Sequence, residues 1–224
     1  LARFTRIEVA LKIAETGVIP VFFHPDIEVC KGVLEACYWG GIRVFEFTNR
    51  GDFAHELFAD LNRFAAFRFP DLILGIGTVL DAGTASLYLQ LGANFVVSPL
   101  LREEVALVCN RRKVAWIPGA GSVTEVSRGE ELGAEFVKIF PGNVLGPGFV
   151  QGIKGPMPWT SLIVTGGVEP EENNLKNWFK AGVSSVGIGS QLFAKEHLQS
   201  KNFSAIQEKV TETMAIVARI KQNM

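Results

Sequence analysis

The chain has 224 residues and a formal net charge of −1, with 48% of residues hydrophobic and 20% charged. That balance is globular, and the length suits either two small domains or one α/β barrel. It excludes a basic face for nucleic acid or a charge block for an anionic membrane surface, and apolar runs of about eight residues are too short to span a bilayer.

Leu1-Ala2-Arg3-Phe4 runs straight into a helix start at Thr5, whose spacing to Glu8 is that of a capping box. A first helix is expected over about 5–16, with no leader peptide before it. Short β-branched or aromatic runs then alternate with helical patterns to the end of the chain. The strand candidates are VIPVFF (18–23), RVFEFT (43–48), LILGIGT (72–78), FVVSP (95–99), VAWIPG (114–119), FVKIFP (136–141), SLIVTGG (161–167) and SVGIGS (185–190). They recur roughly every 24 residues, each followed by a helix-length segment.

Asp52 and Asp81 are expected to cap helices, and Ser122 with Glu125 repeats the capping-box spacing. Pro170 lies near a helix start and Gly182 just past its end. NVLGPGFVQGIKGPMP, after the sixth strand, carries too much Gly and Pro for more than a short helix. In the last helix Phe203, Ile206, Val210, Met214 and Val217 share one face, expected to pack against a sheet. Eight βα units in one uninterrupted domain, residues 1–224, point to an α/β fold, a (β/α)8 TIM barrel with an extra N-terminal helix. A doubly wound open sheet would carry a GxGxxG turn after its first strand, and this chain has none there.

Cys30, Cys37 and Cys109 fall in expected helices without CxxC spacing, which reads as three buried thiols of a cytosolic protein. His24, His55 and His197 lack HxH or HExxH spacing, so no metal site is expected, although Asp26 and Glu28 lie near His24.

Charge inside the apolar strands is confined to two positions. Glu46 sits in VFEFT and shares its face with Val44 and Thr48; Lys138 sits in FVKIF and shares its face with Phe136 and Phe140. One reading is a buried Glu–Lys ion pair, which gains little over apolar replacements. The other is a reactive site: low polarity favours the neutral amine, the nucleophile that forms a Schiff base with a carbonyl, and a carboxylate nearby moves protons. Independently, Thr165-Gly166-Gly167 and Gly187-Ile188-Gly189-Ser190 close the last two strands, where backbone N–H groups of a barrel frequently bind phosphate. Gly75-Ile76-Gly77-Thr78 by itself reads only as a turn. Three activities therefore stand at this point: a Schiff-base enzyme, another phosphate-binding isomerase or synthase with Lys138 as an electrostatic clamp, and a non-catalytic sugar-phosphate-binding protein.

In order and spacing, GGIRVFEFTNR, GIGTVL, VSPLL, IPGAGSVTE, FVKIFPGN and VTGGV resemble the class I aldolases that cleave 2-keto-3-deoxy-6-phosphogluconate and 4-hydroxy-2-oxoglutarate, over about residues 5–195. The resemblance implies Lys138 as the Schiff-base lysine and Glu46 as the general acid/base. It implies Arg50 and Thr78 at the carboxylate of the pyruvate moiety, Pro99 and Phe140 as apolar walls, and Thr165 at the position linked to substrate choice. Gly166, Gly167, Gly189 and Ser190 would hold phosphate. It also implies a cytoplasmic homotrimer that needs no metal or other cofactor and acts on a small 2-keto acid, the phosphorylated form being favoured by the two glycine turns. The chain departs from the family pattern at Phe22-Phe23-His24, where several relatives carry an arginine, at Gly142-Asn143 in place of Ala-Glu, and at Leu100 where a smaller residue is usual.

Overall fold

The computed structural model describes all 224 residues. Helix α1 (Arg6–Thr16) precedes β1 (Val18–Phe22), α2 (Ile27–Trp39), β2 (Val44–Thr48), α3 (Ala54–Arg68), β3 (Ile73–Gly77), α4 (Ala82–Gln90), β4 (Phe95–Val97) and α5 (Glu103–Arg111). There follow β5 (Ala115–Ile117), β6 (Gly119–Ala120), α6 (Val123–Glu131), β7 (Val137–Ile139), α7 (Gly142–Lys154), β8 (Leu162–Thr165), α8 (Glu172–Ala181), β9 (Ser185–Ile188), α9 (Lys195–Gln199) and α10 (Phe203–Gln222).

All pairings are parallel, in the order β5-β4-β3-β2-β1-β9-β8-β7-β6. Only Pro118 separates β5, which pairs with β4, from β6, which pairs with β7, so these two segments are one stave that closes the ring. Pro118 has no N–H for a ladder, yet its carbonyl accepts from the Lys138 N–H at 2.8 Å. The eight expected strands are all present, trimmed where their Gly and Pro residues enter turns.

Alternation along the strands sorts the core into two layers. Outward residues such as Phe45, Phe47, Leu74, Ile76 and Val164 join the helices in a large outer core. Inward residues Ile19, Val44, Ile73, Phe95, Ala115, Phe136 and Ile163 form a separate inner core with Val9 and Ile13 of α1. The extra N-terminal helix therefore plugs the barrel floor. Its Thr5–Glu8 capping box is complete, and Lys221 of α10 donates to the carbonyls of Ala14 and Glu15 at its other end.

Several local expectations need correction. Asp52 caps nothing: α3 starts after Phe53, which is left-handed (φ 59°) and makes no side-chain cap, because the chain must turn sharply out of the barrel mouth. Asp81 does cap α4 through the Thr84 N–H. The Ser122 box is displaced, since the Glu125 carboxylate accepts from the Gly121 N–H rather than that of Ser122. Residues 142–154 hold more helix than their Gly and Pro content implies. Gly146 (φ 72°, ψ 169°) breaks the segment, and Pro147 opens a second helical stretch that runs to Lys154, a place where proline is tolerated. The apolar face of α10 packs chiefly on α2 and α8 rather than on the sheet; Gly32 and Gly40 of that region leave room for Phe203 and Val210. Helical periodicity identifies a buried face but not what covers it.

Candidate active site

Lys138 and Glu46 both enter the barrel interior, as their strand parity requires. Lys138 is 7% exposed and Glu46 4% exposed, yet they form no ion pair with each other: Lys138 occurs in none of the chain's salt bridges or side-chain hydrogen bonds. The structural-pair reading therefore fails on geometry. The Lys138 Nζ lies 5.0 Å from the centroid of the Phe140 ring. Phe136, one strand period below, belongs to the apolar inner core. Burial pushes the Glu46 carboxyl above its ordinary value, while Lys138 and Arg50 pull it partly back.

Three inward glycines make this arrangement possible. Gly77 on β3 adjoins β2, and a Cβ there would collide with the Glu46 carboxylate. Gly119 is the register partner of Lys138, and a Cβ there would strike the Pro99 carbonyl. Gly187 pairs with Thr165, and a Cβ would displace the Thr165 hydroxyl. Each gives up side-chain volume to a neighbour, which links Glu46, Pro99 and Thr165 to the barrel wall. Sequence reasoning missed the role of Gly77 and Gly119. The available signal was inward parity in a strand next to one bearing a mouth residue.

The remaining expected residues line the C-terminal mouth. Arg50 follows β2, is exposed and enters no salt bridge. Thr78 follows β3 and adopts φ 61°, an outlier for a β-branched residue that costs about 1–3 kcal/mol. Neither its N–H nor its hydroxyl bonds within the chain. Gly166 (φ 92°) and Gly167 (φ 72°) make a turn open only to glycine. The N–H groups of Gly166, Gly167, Gly189 and Ser190 likewise meet no acceptor in the chain. The Gly167 carbonyl is turned away, accepting from Asn174 and Trp178.

Among the departures, Gly142 and the two phenylalanines have packing roles. Gly142 packs so closely on β8 that a Cβ would meet the Gly166 carbonyl and the Val164 side chain. Phe22 is buried against Phe45 and Phe193 in the outer layer, and Phe23 packs on Phe47. Leu100 is half-buried beside Pro99. In the loop after β1, Asp26 caps α2 and pairs with Lys201 at 3.0 Å, while its N–H donates to His24. No group of three His, Cys, Asp or Glu side chains converges anywhere. The three thiols are free and buried, with Cys30 pushed up to about 11 and Cys109 to about 12. No helix is long and apolar enough to cross a membrane.

Residues 8–209 match the family model described as KDPG and KHG aldolase. A 2-dehydro-3-deoxy-phosphogluconate aldolase of Pseudoalteromonas atlantica is 31% identical over 204 residues, 91% of this chain and 92% of that one. The KHG/KDPG aldolase of Escherichia coli is 30% identical over 92% of this chain and 94% of its own. Among solved structures, a KDPG aldolase from Legionella pneumophila, with pyruvate captured as a covalent carbinolamine, superposes with a TM-score of 0.82 at 29% identity. That match covers 91% of this chain and 97% of that one. A thiamine phosphate pyrophosphorylase from Pyrococcus furiosus has a TM-score of 0.68 at 14% identity, covering 94% and 98%, a likeness of fold alone. The inward lysine and carboxylate, the glycine-lined mouth and these matches agree, and the chain belongs to the KDPG and KHG aldolase family.

Proposed function

We propose that this single-domain enzyme is a class I carbon–carbon lyase that cleaves a 2-keto-3-deoxy-6-phosphogluconate-type or 4-hydroxy-2-oxoglutarate-type acid to pyruvate and an aldehyde. The observation that carries the reading is Lys138: a buried amine on the barrel interior, over an aromatic face and in no ion pair, with a buried carboxyl in the same interior. As a neutral amine, Lys138 attacks the C2 ketone, and the carbonyl oxygen takes up a proton to give a carbinolamine. Glu46 in its acid form protonates that hydroxyl, which leaves as water and yields an iminium. Glu46, now a carboxylate, accepts the C4 hydroxyl proton, directly or through water, as the C3–C4 bond breaks. The bonding pair moves into the iminium, leaving an enamine on Lys138 and a free aldehyde. Protonation at C3 and hydrolysis release pyruvate.

The separation of Glu46 from Lys138 supports this cycle, because an ion pair would occupy the space the C2 oxygen needs. Burial pushes the Glu46 carboxyl upward, which favours the acid form that donates to the carbinolamine hydroxyl. Arg50 and the two free donors of Thr78 suit the substrate carboxylate. The free N–H groups of Gly166, Gly167, Gly189 and Ser190 suit a distal phosphate and favour glyceraldehyde 3-phosphate over glyoxylate as the second product. Pro99 and Phe140 are the apolar walls, and the Thr165 hydroxyl, seated over Gly187, faces the substrate's hydroxylated carbons. Family resemblance also supports a cytoplasmic homotrimer, which light scattering tests. Activity is tested by following pyruvate release from the phosphorylated and unphosphorylated acids. The higher kcat/KM belongs to the phosphorylated one, and pyruvate from neither would overturn the reading.

A further inference from the structure

The turn after β2 carries Arg50 and the turn after β3 carries Thr78, and a small set of bonds ties these turns together. Thr48 and Gly77 are register partners, and the Asn49 N–H donates to the Gly77 carbonyl at 2.9 Å. The Asn49 side chain then faces away from the substrate: its Oδ1 accepts from the Tyr88 hydroxyl at 2.7 Å. Tyr88 stands on α4, the helix that begins just after Thr78. Helical side chains lean toward their own N-terminus, here the barrel mouth. The ring is 1% exposed and clamped edge-on against Phe58 of α3 at 5.2 Å. Burial pushes the phenol up to about 12, so it remains a donor at all assay pH values. Without this bond Asn49 would retain only its backbone tie, on a turn whose next residues are an exposed arginine and Gly51 at φ 88°.

We propose that the Tyr88–Asn49 hydrogen bond is a strut that holds the Arg50 turn in place beside Thr78, so that two residues remote from the substrate set the affinity for the carboxylate of the 2-keto acid. This rests on the aldolase reading above. Tyr88 and Asn49 are positioning residues: they act through Arg50 and Thr78 and touch no reacting atom.

The test is borohydride trapping at graded pyruvate concentrations in the wild type, Tyr88→Phe, Asn49→Leu and the double variant, with hydroxyacetone as a ketone that lacks the carboxylate. Both single variants are expected to reach wild-type maximal trapping while half-saturating pyruvate rises about 2- to 12-fold, the range for one lost hydrogen bond. The double variant is expected to be no worse than the weaker single, and hydroxyacetone trapping to be unchanged. Should Tyr88→Phe fail to fold, Asn49→Leu, which keeps the Tyr88 ring packed on Phe58 and removes only the acceptor of its hydroxyl, decides alone. Unchanged half-saturation for pyruvate, or an equal loss for hydroxyacetone, overturns the strut. Absence of any adduct in the wild type overturns the aldolase reading itself, and the strut with it.

Discussion

The two ends of the barrel interior use the same inward positions for opposite purposes. At the N-terminal end these positions hold Ile19, Val44, Ile73, Phe95, Phe136 and Ile163, sealed by Val9 and Ile13 of α1. Two residues further along the same strands stand Val21, Glu46, Gly75, Val97, Lys138 and Thr165. One step of strand period converts an apolar plug into a layer that carries an acid and an amine. With the floor sealed by apolar side chains, Glu46 and Lys138 are desolvated and lie below the mouth, where Arg50, Thr78 and the glycine turns stand. Left-handed non-glycine backbone occurs at both ends, with Thr78 and Phe53 at the mouth and Lys113 in the turn that enters β5.

Substitutions at the two ends should therefore separate catalysis from stability. The largest effect is expected for Lys138→Met, which removes the nucleophile: kcat falls by about 10^4-fold or more, while the thermal midpoint holds or rises because a buried amine is gone. Glu46→Gln comes next, with kcat lowered about 10^2- to 10^4-fold in steady-state pyruvate release. This variant should also gain stability with a defined pH dependence. Folding raises the Glu46 carboxyl above its ordinary 4.5. The folded state therefore holds a proton that the unfolded state has lost, and wild-type stability falls as pH rises from about 4.5 through the raised value. Glutamine cannot ionise, so its advantage in thermal unfolding is largest at neutral pH and vanishes near pH 4.

At the floor the pattern reverses. Ile13→Ala should lose about 2–5 kcal/mol in denaturant unfolding while the folded enzyme keeps its kcat within about two-fold, since no mouth residue moves. The smallest effect is expected for Gly166→Ala, which distorts one proposed phosphate-facing turn because alanine fits φ 92° poorly. KM for the phosphorylated acid should rise about 10-fold, the equivalent of one charge-assisted hydrogen bond, with the unphosphorylated acid unaffected. A similar loss for both acids would mean that the turn is structural only.

The inward placement of Glu46 and Lys138, the proposed catalytic pair, was legible in the sequence because each breaks an apolar strand run, and the ring of eight strands followed from alternating periodicities. Less visible were features that depend on neighbours across the barrel. Gly77 and Gly119 look like ordinary strand glycines until β2 is laid beside β3 and the turn after β4 over β6. The Tyr88–Asn49 bond joins residues 39 apart on different elements, and no local pattern marks either. Asp52 was misread as a cap because composition names a capping residue but not the direction in which the chain leaves the mouth. Whether Glu46 and Lys138 touch was likewise beyond strand parity, which gives facing and not distance.

The most direct test of Lys138 as the Schiff-base nucleophile is mass spectrometry of the protein incubated with pyruvate and borohydride, then digested. The expected result is a single reduced pyruvate adduct on the peptide containing Lys138, absent from Lys138→Arg. An adduct of equal yield in Lys138→Arg, or none in the wild type with pyruvate demonstrably bound, would contradict it.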